Sequence, residues 1–181
     1  KKVLKSCDGK EEVVTTCGPD QGCAVDRCID ACESAALARG SVGCSFWTLP
    51  PDDASYGAGA CFAALVANTW DRPVKLTAEF GGEPLDISKS IYTASQTGNG
   101  EAEYTPVSEL AVGQVGIVFL SQAAAPADPT APRCPPGVVP AVNFDPIRHG
   151  IARTVAFKLE ADAPISAYSI FPYGGASSFY P

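Results

Sequence analysis

The chain has 181 residues, 46% of them hydrophobic and only 18% charged, with a net charge of −7. Such acidity, with no basic stripe, argues against nucleic acid and anionic membrane as partners, and no apolar run approaches the roughly 20 residues a membrane helix needs. Gly 17, Pro 16 and Cys 8 against few charged residues favour β structure over helix, and an even cysteine count fits complete pairing.

No methionine occurs, so the chain reads as a processed product or an excised fragment. Residues 1–5 read as a short leader. The run from Cys7 to Cys44 then holds six of the eight cysteines: Cys7, Cys17, Cys23, Cys28, Cys32 and Cys44. Its first half has little to pack beyond Val13, Val14, Ala24 and Val25. A segment so poor in core material does not offset its own ordering entropy. Disulfides of roughly 2–4 kcal/mol each are the usual remedy, and they require an oxidising compartment. Metal binding is the rival reading, but there is no C-x-x-C pair and no nearby histidine. Spacing alone does not fix connectivity. The alternating pattern common in small cassettes gives Cys7–Cys23 and Cys17–Cys28, leaving Cys32–Cys44 and Cys61–Cys134.

Within this cassette, 13–16 and 24–27 read as small hairpin pieces. Asp30 followed by Glu33 predicts a helix N-terminus, and the Ala/Leu run to Arg39 continues it to a stop at Gly40. Residues 43–49 predict a strand, ended by Pro50-Pro51, with Trp47 and Phe46 packing where the cassette meets the next unit. A buried strand at 61–68 follows. Residues 74–80 alternate in half-buried fashion, with Val74, Leu76, Ala78 and Phe80 on one side. Gly81-Gly82 predicts a hairpin turn, and Pro84 keeps the next strand short and peripheral. Further strands are expected at 87–94, 103–107 and 115–121.

Residues 123–140 contain six prolines and predict a long extended loop that a disulfide at Cys134 would pin. Two last strands, 152–160 and 165–172, are joined by a turn at 161–164. The expected fold is therefore mainly β: an antiparallel β-sandwich (45–181) preceded by a disulfide-rich cassette with one short helix (1–44).

The cysteine series ending in Ser41-Val42-Gly43-Cys44-Ser45-Phe46-Trp47 resembles the front end of secreted bacterial IgGFc-binding-type proteins. Ala67-Asn68, His149-Gly150, residues 152–157 and residues 162–168 resemble that family as well. The resemblance implies an extracellular or bacterial-surface binding protein, carries over no catalytic motif, and implies a domain continuing beyond Pro181.

Chemistry-bearing residues are few. His149 is the only histidine, and Asp145 is the nearest orienting carboxylate for a hydrolase triad, yet no G-x-S-x-G accompanies them. Asp52, Asp53 and Asp71 are the oxygen ligands a calcium ion would use, but no EF-hand loop is present and aspartates beside prolines form turns. No P-loop or G-x-G-x-x-G supports a nucleotide cofactor. The aromatics Trp70, Tyr168, Phe171, Tyr173, Phe179 and Tyr180 form the candidate contact surface for a protein or glycan ligand or a neighbouring subunit. The functional expectation is a secreted or surface binding and adhesion protein without catalytic activity. The alternatives are a subunit of an extracellular fibre or sheath, and a protease inhibitor presenting residues 18–22.

Overall fold

A computed structural model describes residues 2–7, 10–52, 57–126 and 128–174, with the backbone alone for 3–7 and 10–12. It is mainly β, with 43% strand and 5% helix. Strands β1 (Lys2–Cys7) and β2 (Lys10–Thr16) form one antiparallel ribbon, and β3 (Gln21–Cys23) and β4 (Cys28–Asp30) a second. The expected leader is thus paired strand, and residues 24–27 are the turn of the second ribbon rather than a strand, closed by Ala24 N–H donating to Arg27 O at 2.8 Å.

Helix α1 (Ala31–Ala38) starts where Asp30 Oδ1 accepts the N–H of Cys32 and Glu33, at 2.8 and 3.1 Å. Its left-handed terminal residue is Arg39, at φ 50°, not Gly40. Two-stranded ribbons are marginal alone. Disulfides Cys17–Cys28 and Cys32–Cys44 tie these together and to β5 (Val42–Thr48). The expected Cys7–Cys23 pairing lies outside the described residues, because the Cys7 side chain is not among them. Cys23 Sγ lies 3.6 Å from Cys17 Sγ and makes no disulfide among the described residues.

The main sheet contains β6 (Phe62–Ala67), β7 (Leu76–Phe80), β8 (Glu83–Leu85), β9 (Ile91–Gln96), β10 (Ala102–Pro106), β11 (Val115–Ser121) and β12 (Phe157–Ile170). Its order is β10-β9-β11-β6-β12-β7-β8, with β5 also on β12. Gly81 and Gly82, both at positive φ, make the two-residue turn between β7 and β8. Strand β9 begins four residues later than its apolar start suggests. Ser90 N–H donates to Ile87 O and Ser88 N–H to Asp86, so the first part is turn.

Where the sequence predicts two strands joined by a turn, the protein has one. β12 is 14 residues long and changes neighbours along its length. Residues 157–161 pair with β7, residues 166–170 with β6, and β5 runs beside both parts. Glu160 opposes Ser45 whereas Ile165 opposes Gly43, so extra residues of β12 bulge between them. Pro164 sits in this bulge, where it has no ladder N–H to supply. The sheet folds over at this corner and closes sandwich-like on itself.

The larger core fills the fold. Phe62, Val66, Val118, Leu120, Phe157, Leu159 and Ile165 are all buried there. Phe157 lies 4.7 Å from Phe80 and 6.1 Å from Phe62 between ring centroids. The opposite face of β6 and β11 carries Ala63, Ile117 and Phe119, and the proline-rich loop covers it. That loop is held by Cys61–Cys134, by Cys61 N–H to Pro132 O (2.9 Å) and by Val139 N–H to the Tyr92 hydroxyl (3.0 Å). Gly116 is required where Leu110 crosses β11: a Cβ there would meet Leu110 Cδ2 at 2.5 Å.

Asn68, 1% exposed, organises the end of β6. Its Nδ2 donates to the carbonyls of Arg72 (2.8 Å), Leu110 (2.9 Å) and Ala111 (3.1 Å), and its Oδ1 accepts Trp70 N–H (2.9 Å). The chain it shapes carries Trp70 and Arg72, which grip the cassette. Trp70 Nε1 donates to Pro19 O at 2.8 Å, and Arg72 Nε to Asp20 at 2.6 Å. Arg72 also donates to the Asp162 carbonyl (2.7 Å) and carboxylate (3.2 Å), and so holds the corner of β12.

Asn68→Ala removes three donated bonds and one accepted bond at a buried site, although Leu110 O and Ala111 O keep the N–H groups of Val74 and Gln114, and we expect it to cost about 2–3 kcal/mol in denaturant unfolding. Asn68→Asp keeps the acceptor for Trp70 but not the donors, and is expected to be no better. In Cys134→Ser, tryptic cleavage after Arg133 should accelerate while Cys17–Cys28 and Cys32–Cys44 persist in non-reducing mass mapping. An unchanged cleavage rate would count against the loop being pinned by sulfur.

Candidate functional site

Alternation along β5 turns Ser45 and Trp47 outward and leaves Phe46 half-buried against the larger core. Trp47 remains 65% exposed, so it does not pack at the cassette junction as its position beside Cys44 suggests. Tyr168, on the second part of β12, is 60% exposed. Both line one groove of about 250 Å³ that spans the corner of β12. Phe46 and Leu159 line it too, with the hydroxyl residues Thr48 and Ser169.

Lys158 lies opposite Trp47 in the ladder, and its Nζ sits 5.7 Å from the indole centroid. The same ammonium lies 2.8 Å from Glu160 and 3.9 Å from Glu79. The hydrogen bond to Glu160 raises its pKa above the usual lysine value. Lys158 is thus a cation held over the indole ring.

A second constellation surrounds His149. Its Nδ1 lies 2.6 Å from Asp52 Oδ1 and its Nε2 3.1 Å from Asp145 Oδ2. Gly150 N–H donates to Asp52 Oδ2 at 2.8 Å. The bond to Asp52 is the main cause raising the His149 pKa, and the bond from His149 is the main cause lowering that of Asp52. With a carboxylate on each nitrogen, the ring has no lone pair facing a nucleophile, which a triad base needs.

The remaining candidates disperse. Asp52 is engaged by His149 and Gly150, Asp53 lies outside the described residues, and no group of three or more His, Cys, Asp or Glu side chains suited to a metal ion occurs among the described residues. Of the candidate contact aromatics, Tyr168 alone among the described ones stays largely exposed. Phe171 is 4% exposed, in the larger core beside Phe62. Tyr173 packs edge-on against Phe119 at 5.0 Å, and its hydroxyl lies 3.1 Å from that of Tyr104. Burial pushes the Tyr173 pKa up. Trp70 grips the cassette, and Phe179 and Tyr180 lie outside the described residues. Residues 18–22, the candidate inhibitory loop, are engaged at Pro19 and Asp20 by Trp70 and Arg72.

Two features were missed in the sequence. The outward face of Trp47 was legible in its alternation with Phe46, which puts it on the side of Ser45. The partnership of Asp52 with His149, 97 residues apart, carried no local signal. No family model, curated protein or solved structure matches this chain.

Proposed function

We propose that this chain is a secreted or surface-displayed binding and adhesion protein whose contact surface is the groove lined by Trp47 and Tyr168. The observation that carries the reading is the pair of large aromatics, left 65% and 60% exposed, that line one groove. Their backbone belongs to β5 and β12, strands fixed by the core and by Cys32–Cys44. Rigid aromatic faces bind at low entropic cost. Hydroxyls beside such faces suit a glycan, whose ring C–H groups stack on the indole and phenol while its own hydroxyls bond to Thr48 and Ser169.

Three disulfides favour an oxidising, extracellular setting. The fibre reading has less behind it. The outer strand β10 carries Glu103 and ends at Pro106, residues that discourage pairing with another chain. The inhibitor reading is disfavoured by the engagement of Pro19 and Asp20 within the molecule.

Mucin-type glycans should shift the Trp47 indole resonance in an NMR titration. Trp47→Ala and Tyr168→Ala should each weaken binding by about tenfold, the worth of one aromatic contact, with an unchanged fold. Full affinity in both variants would sink the assignment of this surface.

A further inference from the structure

The His149 ring spans two segments distant in sequence. Asp52 lies just beyond β5, and Asp145 belongs to the 143–150 loop. A neutral imidazole has one N–H donor and one lone pair, so in that form one ring nitrogen would turn its lone pair toward a carboxylate oxygen. Only the imidazolium donates to both. Two clefts adjoin this contact. One, of about 400 Å³, is lined by Leu49, Pro50, Asp52, Arg148 and Gly150. The other, of about 500 Å³, is lined by Gly59, Pro126, Asn143 and His149.

We propose that His149 is an acid-closed latch: as imidazolium it fastens the 143–150 loop to Asp52 and holds both clefts in their present form, and on losing its proton it frees the loop to lift.

Among the described residues, the titratable groups facing the ring are Asp52 from the segment after β5 and Asp145 from the loop itself. Arg148 lines the first cleft, and Arg153 shares a neighbouring cleft with Asp145. The other described segments that line the second cleft contribute Ala58, Gly59 and residues 123–126, which bear no charge. The signs follow. The His149 pKa is raised, so its contribution is complete below the ordinary histidine value of about 6.5 and is lost as pH climbs through the raised value. The Asp52 pKa is lowered, so its contribution is present above 3.8 and is lost as pH falls through the lowered value. The latch is therefore closed in mild acid and opens on the alkaline side of the His149 midpoint.

The chain has a single histidine, so its imidazole proton resonances titrate without ambiguity. The midpoint should lie above 6.5 and return toward the ordinary value of about 6.5 in Asp52→Asn. Exchange of the Gly150 amide, corrected for its intrinsic pH dependence, should rise at least tenfold across that midpoint in the unaltered protein. It should be fast and independent of pH in His149→Gln. A His149 midpoint at or below 6.5, or Gly150 protection that stays flat across the titration or persists in His149→Gln, would overturn the proposal.

Discussion

Strand β12 cannot satisfy both of its neighbours in one straight run. Its first part belongs with β7 and its second with β6, and the ladder must break between them. The break exposes backbone groups that need partners. Asp162 N–H donates to Lys75 O, the Asp162 carboxylate accepts Lys75 N–H, and its carbonyl accepts from Arg72. Pro164 removes a donor from the same stretch. Arg72 then extends the arrangement outward, because the same guanidinium reaches Asp20 in the cassette. The corner, the docking of the cassette and the groove at Trp47 therefore rest on one short stretch of chain.

Magnitudes separate the two parts of the molecule. The main sheet has Phe62, Phe119 and Phe157 fully buried, and losing one such ring costs about 3–5 kcal/mol. In the cassette only Cys17 and Ala31 are buried apolar residues among those described. Its contact to the rest of the chain through Arg72 involves an aspartate whose side chain is 70% exposed, and exposed pairs contribute about 0–1 kcal/mol. The two sulfur bridges, roughly 2–4 kcal/mol each, are thus the dominant stabilising terms there. Reduction should loosen the cassette well before it unsettles the sheet.

What the sequence disclosed was local. Asp30 capping α1, the alternation of β7, the Gly81-Gly82 turn and the proline-rich loop each depend on neighbours a few residues away. Asp162-Ala163-Pro164 misled, because a turn and a sheet corner use the same residue types and differ only in what lies alongside. The aromatics misled for a related reason. Composition puts Phe171 and Tyr173 in a crowded tail, but Phe62 and Phe119, from distant strands, supply the partners that bury them. Trp47 and Trp70 exchanged roles: the one expected at the junction faces outward, and the one expected outside bonds to the cassette at Pro19. Asn68 looked like a strand end and is the hub of two loops, since its three carbonyl partners include two more than forty residues away.

The groove and the latch draw on different segments of one framework, so ligand contact and pH response need not share residues. Both presuppose that the two parts of β12 belong to a single cooperative unit. Native-state hydrogen exchange at rising denaturant tests that directly. Amides of residues 157–161 and of residues 165–170 should converge on one opening free energy, that of global unfolding. Two separate opening energies, with 157–161 and β7 released while 165–170 and β6 remain protected, would contradict it.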